Sequence, residues 1–169
     1  EICASMDVPP FARAAMDGYA VRAEDTFGAG NFSPKILELI EVIHAGESAH
    51  RSVLPGSCIQ VATGAPMPDG ADAVVMVEDT ELDSTKVKVY KPVYPQQHAS
   101  PMGEDIPQGS LVLQRGVRLD PSKIGVLAAL GLQKVGVYQK PQVAVIPSGN
   151  EILMLGEVLS PGKIYDINS

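Results

Sequence analysis

A strand-rich α+β fold, followed by the opening of an α/β domain, is what this sequence predicts, and three observations predict it. Sixteen glycines and fourteen prolines punctuate the chain of 169 residues, leaving short apolar runs of the kind that form strands joined by turns. Only one stretch, near residues 120–131, carries a start signal, a helical apolar spacing and a stop signal together. After Lys140-Pro141 the texture changes to an apolar run without alternation, followed by a glycine loop.

The elements follow in order. Residues 1–35 read as irregular and turn-rich. Asp7-Val8-Pro9-Pro10-Phe11 is extended, because a residue preceding proline is pushed out of the helical region. Ala29-Gly30-Asn31 reads as a loop tip. Ile36–Ile43 fits either helix or strand by spacing, and its brevity and β-branched content favour strand. Cys58-Ile59-Gln60-Val61-Ala62 alternates behind a turn at Pro55-Gly56, and Ala73–Val77 is a continuous apolar run suited to a buried strand. Lys86-Val87-Lys88-Val89-Tyr90-Lys91 alternates most clearly, with valines inward and lysines toward water. Gly109–Arg118 is expected to be a strand with a bulge at Gly116. Asp120 is placed to cap a helix, Pro121 suits its first turn, Ile124, Leu127 and Ala128 keep its spacing, and Gly131 ends it. Gly125 inside that helix costs roughly 1 kcal/mol relative to alanine, so tertiary packing has to support it. Val143–Ile146 reads as a buried strand feeding Pro147-Ser148-Gly149-Asn150-Glu151, the way a parallel sheet begins. A domain boundary is expected near 140. Asn168 or Ser169 is placed to cap a further helix, and both chain ends read as cut, so the sequence reads as a fragment.

Composition narrows the function. The net charge is −7 and the isoelectric point about 4.9, which argues against a basic groove for nucleic acid or anionic lipid. No tryptophan and an aromatic fraction of 5% argue against stacking platforms for single strands. Nothing approaches the roughly 20 apolar residues of a membrane span, and the N-terminus lacks a signal-peptide layout. Two cysteines, Cys3 and Cys58, make no disulfide framework, so a cytoplasmic setting is expected. No zinc spacing joins His44, His50 and His98, and no Gly-x-Ser-x-Gly, P-loop or dinucleotide fingerprint occurs.

Four acidic sites and one hydroxyl loop remain. Asp17, before Gly18, is either a hairpin turn signal or a carboxylate that small neighbours bring close to a ligand. Thr63-Gly64 either belongs to a plain turn running to Pro68-Asp69-Gly70 or aims a hydroxyl and bare amides at an anion. Glu104-Asp105, flanked by glycine and proline, is either a solvated turn or part of a site. Glu151 follows the expected strand at the position where open α/β sheets place ligands. Asp166 is either a helix-favouring acid or a metal ligand. Carboxylates converging with phosphate would suit Mg²⁺, which keeps several waters and takes one or two protein carboxylates.

Five loops in a fixed order then point to one family. Pro9-Pro10-Phe11 with Ala15-Met16-Asp17-Gly18-Tyr19-Ala20-Val21 resembles the opening motif of the MoeA family, which includes the E domains of gephyrin and of its plant counterpart. So do Thr63-Gly64-Ala65-Pro66 with Gly70–Val75, Gly103-Glu104-Asp105-Ile106, Ser148-Gly149-Asn150-Glu151, and Gly162–Asn168. The resemblance implies a molybdopterin molybdenumtransferase, in which adenylylated molybdopterin and molybdate react with Mg²⁺ to give molybdenum cofactor and AMP. It implies a homodimer with the active cleft between subunits, no nucleic-acid or membrane partner, and the molybdopterin adenylyltransferase as a further partner. Asp17, Thr63, Asp105, Glu151 and Asp166 are the implied catalytic positions, with Gly64, Ser148, Gly149 and Lys163 binding substrate. Glu151 and Asp166 are the implied Mg²⁺ ligands. The implied architecture places a β domain of residues 19–98 inside a first domain built from 1–18 and 99–140. Residues 141–169 open a third domain.

Two departures stand out. Family members often carry arginines just before Gly-Glu-Asp, whereas Ala99-Ser100-Pro101-Met102 has no charge, and Asn150 stands where many have aspartate. The fragment alone is expected to be inactive. The competing readings are a scaffold module of the gephyrin type that binds a protein partner, and a metal-free β-barrel ligand binder.

Overall fold

The computed structural model describes residues 1–168, and the chain divides into two compact units, Glu1–Gln133 and Lys134–Ser169. The strands of the first unit are β1 (Ile2–Cys3), β2 (Arg13–Ala14), β3 (Gly18–Val21), β4 (Lys35–Ile43), β5 (Ser57–Val61), β6 (Ala73–Met76), β7 (Thr80–Asp83), β8 (Lys86–Val89), β9 (Ala99–Ser100) and β10 (Leu111–Leu113). Its helix α1 spans Pro121–Ala129. Six of the strands form one mixed sheet in the order β6-β3-β5-β4-β8-β7. Only the β4–β5 pairing in it is parallel.

Both faces of the sheet are covered. Tyr19, Val21, Leu37, Cys58, Val75, Val87 and Val89 pack on one side, and Ala20, Ile43, Ile59, Val61 and Val74 on the other. Each fully buried Val or Ile contributes roughly 1.5–3 kcal/mol relative to exposure. The strand read in 58–62 forms as β5, with both of its faces covered. Strand β5 lies between β3 and β4, and Cys58 and Ile59 are each fully buried on opposite faces. In β8 the reading holds, with Val87 and Val89 buried and Lys86 exposed.

Asp17-Gly18 is not a hairpin turn. Gly18 opens β3 and is paired on both sides, to Val61 and Met76. A Cβ there would run into the Val75 carbonyl, so glycine is required by the close approach of β6.

Around this sheet, β1 pairs with β10 and β2 with β9. The strand expected over Gly109–Arg118 shrinks to Leu111–Leu113, because its two-residue partner β1 offers no ladder beyond that. Gly116 is the left-handed residue of an exposed turn, φ 83°, and not a bulge. Helix α1 forms as read: the Asp120 carboxylate accepts from the Lys123 amide at 3.0 Å, and Gly131 closes it at φ 71°. Its support comes from buried Leu127 and, just past its end, Leu130.

The second unit corrects one expectation. Val143–Ile146 forms no strand, and Val143 and Ile146 are 78% and 82% exposed. A buried parallel strand needs neighbours to complete its ladder, and among the described residues none lies beside it. The regular structure present is a two-stranded parallel pair, β11 (Ile152–Leu153) with β12 (Ile164–Tyr165). Asp166 follows β12 directly, and no helix is present over 166–168. The cap expected at Ser169 lies outside the described residues. Among the described residues no helix is long and apolar enough to cross a membrane.

Candidate active site

The first unit brings three sequence-distant loops together around the short strand β2. On one side, the Ala14 amide donates to the Ala65 carbonyl and the Gly64 amide donates to the Ala14 carbonyl, 2.9 and 2.8 Å. On the other side, β2 pairs with β9 through Arg13–Ser100 and Ala14–Ala99. The chain then turns into β3, which leaves Asp17 at the mouth of this arrangement, exposed, on a backbone fixed by the sheet.

Asp17 and Thr63 meet. The Thr63 amide and hydroxyl both donate to Asp17 Oδ1, at 2.6 and 2.8 Å. The amide bond, followed by the hydroxyl bond, holds the Asp17 carboxyl below the usual carboxylate range, because both stabilise the charged form. Thr63-Gly64 does not form an anion cradle. The Thr63 amide is used by Asp17, the Gly64 amide by Ala14 and the Ala65 amide by Ala62. Gly64 serves instead as the left-handed residue of the turn, φ 85°.

Asp105 reaches the same strand from the far side. The Gly103 amide donates to the Pro9 carbonyl, and the Asp105 and Ile106 amides to the Val8 carbonyl, across a cis Val8–Pro9 bond. The Asp7 carboxylate accepts from the Gln108 amide at 2.8 Å. It also lies where a Cβ on Gly103 would come to 2.6 Å, which accounts for that glycine. So fixed, the Asp105 carboxylate stands 4.0 Å from the Arg13 guanidinium.

Reading residue types one at a time missed Arg13 and Asp7. The signal for Arg13 was available in the sequence. It is the lone Lys or Arg within 1–21, 62–76 and 92–114, the segments that build this region.

The second unit holds the remaining residues. Ser148 is exposed. Gly149 has φ 152°, and a Cβ there would come to 2.5 Å from Glu151 Oε1, so the glycine leaves room for that carboxylate. The Lys163 ammonium donates to the Asn150 carbonyl, and the Ile164 amide donates to the Glu151 carbonyl at 2.8 Å. Glu151 precedes β11 and Asp166 follows β12. With Ile152 opposite Ile164, Glu151 lies level with Lys163, three residues before Asp166. At about 3.3 Å per residue this offsets the two acids by roughly 10 Å along the ladder. Glu151 is exposed, whereas Asp166 is buried with its carboxylate accepting from the Asn168 amide at 2.8 Å. As a pair they do not close on one cation in this arrangement. Among the described residues no three His, Cys, Asp or Glu side chains gather as a metal shell.

A family profile described as the MoeA N-terminal region (domain I and II) matches residues 1–131. The chain belongs to the MoeA family. Among MoeA relatives, molybdopterin molybdenumtransferase 2 of Mycobacterium tuberculosis is 40% identical over 169 residues, covering 100% of this chain and 42% of the relative. The molybdopterin molybdenumtransferase of Staphylococcus epidermidis is 39% identical over 168 residues, covering 99% of this chain and 40% of the relative. A solved molybdopterin biosynthesis MoeA protein from Pyrococcus horikoshii superposes with a TM-score of 0.90 at 47% identity, covering 99% of this chain and 43% of that one. The chain thus spans about two fifths of the length of the MoeA relatives it matches.

Proposed function

We propose that this chain supplies part of a molybdopterin molybdenumtransferase, which inserts molybdate into adenylylated molybdopterin and releases AMP in the cytoplasm. The observation that carries the reading is the Asp17–Thr63 pair. Two hydrogen bonds from one residue favour the charged form of its carboxylate, it is exposed, and it sits on a backbone that the sheet fixes. A preorganised charge on a rigid frame is what positioning of a reacting group requires. Asp17, Thr63 and Asp105 act from the first unit, with Gly64 shaping the turn. Ser148, Gly149, Glu151, Lys163 and Asp166 act from the second. The sheet unit of 19–98 is the inserted domain, and 141–169 opens the next one.

Homodimerisation completes the cleft in this reading, and the molybdopterin adenylyltransferase delivers the substrate. Mg²⁺ dependence belongs to the reading through Glu151 and Asp166. Those two carboxylates do not share a shell in this structure.

The test is molybdenum insertion by the whole protein. Wild type turns over, Asp17→Asn and Asp166→Asn each cut turnover strongly while retaining the fold, and residues 1–169 alone give none. Full turnover by both variants would defeat the assignment of these acids. Absence of turnover by the wild type, with capture of a protein partner instead, would favour the scaffold reading.

A further inference from the structure

The region around β2 carries an electrostatic problem. Asp7, Asp17, Asp69, Asp72, Glu104 and Asp105 all lie in the segments that build it, and Arg13 is the lone Lys or Arg among them. The amides of Thr63, Gly64 and Ala65 are consumed within the protein, so the loop beside Arg13 offers no backbone cradle for negative charge. His98 is a further nitrogen base at hand, and His50 and Arg51 line a pocket with Pro66–Asp69. The His98 ring contacts the Gln97 amide at 3.2 Å, and its carbonyl accepts from Ala15.

Arg13 is placed to meet an anion. Its backbone is fixed on both sides, by Ser100 of β9 and by a bridge to Pro66. Its chain neighbours Ala12 and Ala14 are small. Its side chain is 41% exposed, and its partner Asp105, at 60%, stands at the limit of ion-pair distance, 4.0 Å. Such an exposed, long pair adds little to stability. It leaves a partly exposed guanidinium with one distant carboxylate partner, in the planar geometry that matches two oxygens of a tetrahedral oxyanion.

We propose that Arg13 grips a tetrahedral oxyanion of the substrate, with Asp105 holding the guanidinium in place until that group arrives. This rests on the molybdenumtransferase reading for the nature of the substrate, which brings two such groups, a phosphate ester and molybdate. Binding exchanges a weak carboxylate partner for a bidentate one, so Asp105 both orients the arginine and competes with the ligand.

The experiment follows the Arg13 Nε–H signal of the 169-residue chain by NMR while AMP, and separately sodium molybdate, is added. The expected result is a saturable shift with at least one of the two. Response to AMP alone places the phosphate ester at Arg13, and response to molybdate alone places the metal oxyanion there. In R13A, which lacks that reporter, affinity is read from the backbone amides of β2 and β9, and binding weakens by roughly tenfold or more, the loss expected for a charged hydrogen-bonded partner. R13K, which keeps the charge and loses the fork, falls between, and D105N tightens binding. No saturable shift with either anion, or equal affinity in R13A, overturns the proposal. Turnover by the whole protein is a separate readout. Turnover with KM unaltered in R13A sinks the role of Arg13 and spares the enzyme reading, whereas oxyanion binding at Arg13 without any wild-type turnover does the reverse.

Discussion

Asp17 and Glu151 look alike in the sequence, each an acid close to a glycine and beside an apolar run, yet the structure treats them differently. Asp17 leads into β3, a strand paired on both sides within a six-stranded sheet, and its carboxylate is captured by Thr63, 46 residues away. Glu151 leads into a two-residue ladder with one partner, behind an apolar segment whose residues stand in solvent. What separates them is the number of neighbouring strands, because a carboxylate is held in place only where the backbone beneath it is.

Four measurements would break or sharpen that contrast. The largest effect belongs to the shared core. Ile59→Ala removes a fully buried side chain and should cost roughly 4 kcal/mol in chemical denaturation; a loss below about 1 kcal/mol would mean that the sheet is not closed on both faces. Next, Gly18→Ala forces a methyl against the Val75 carbonyl and should cost about 3 kcal/mol, within the range for strain and overpacking. A neutral result would show that β6 can move away.

Third, the Thr63 amide proton reports the Asp17 bond. Folding lowers the Asp17 pKa through that bond, so its stabilising contribution is complete above the unfolded carboxylate value and is lost as pH falls through the folded one. The Thr63 amide shift should therefore titrate with a midpoint below the usual carboxylate range. A midpoint at or above that range contradicts the geometry. The smallest effect is expected for Val145→Ser. Val145 is 52% exposed, so the change should stay within about 0.5 kcal/mol, and the amides of 143–146 should exchange far faster than those of β3 and β5. Protection of 143–146 equal to that of β5 would erase the distinction between the two units.

Much of the first unit is legible in the sequence. The valines of Lys86–Val89 and the capped stretch from Asp120 to Gly131 carry local patterns that tertiary structure leaves intact. The errors share a cause. The hairpin reading of Asp17-Gly18, the bulge at Gly116 and the strand at Val143–Ile146 rest on local chemistry, whereas the outcome depends on how many strands lie alongside. Thr63 and Asp17 could be nominated separately, but nothing local says that they touch. Arg13 was readable only by asking which cation serves three separate segments at once.

The zipper between Asp7–Pro9 and Gly103–Gln108 joins residues about a hundred positions apart, for example Asp7 with Gln108. During synthesis, at roughly 5–20 residues per second, the Asp17–Thr63 contact becomes possible several seconds before the Asp105 loop leaves the ribosome. The nascent chain thus can form the Asp17–Thr63 contact first, and Asp105 reaches Arg13 only once residues 103–108 have emerged, so that region of the protein is assembled in two instalments.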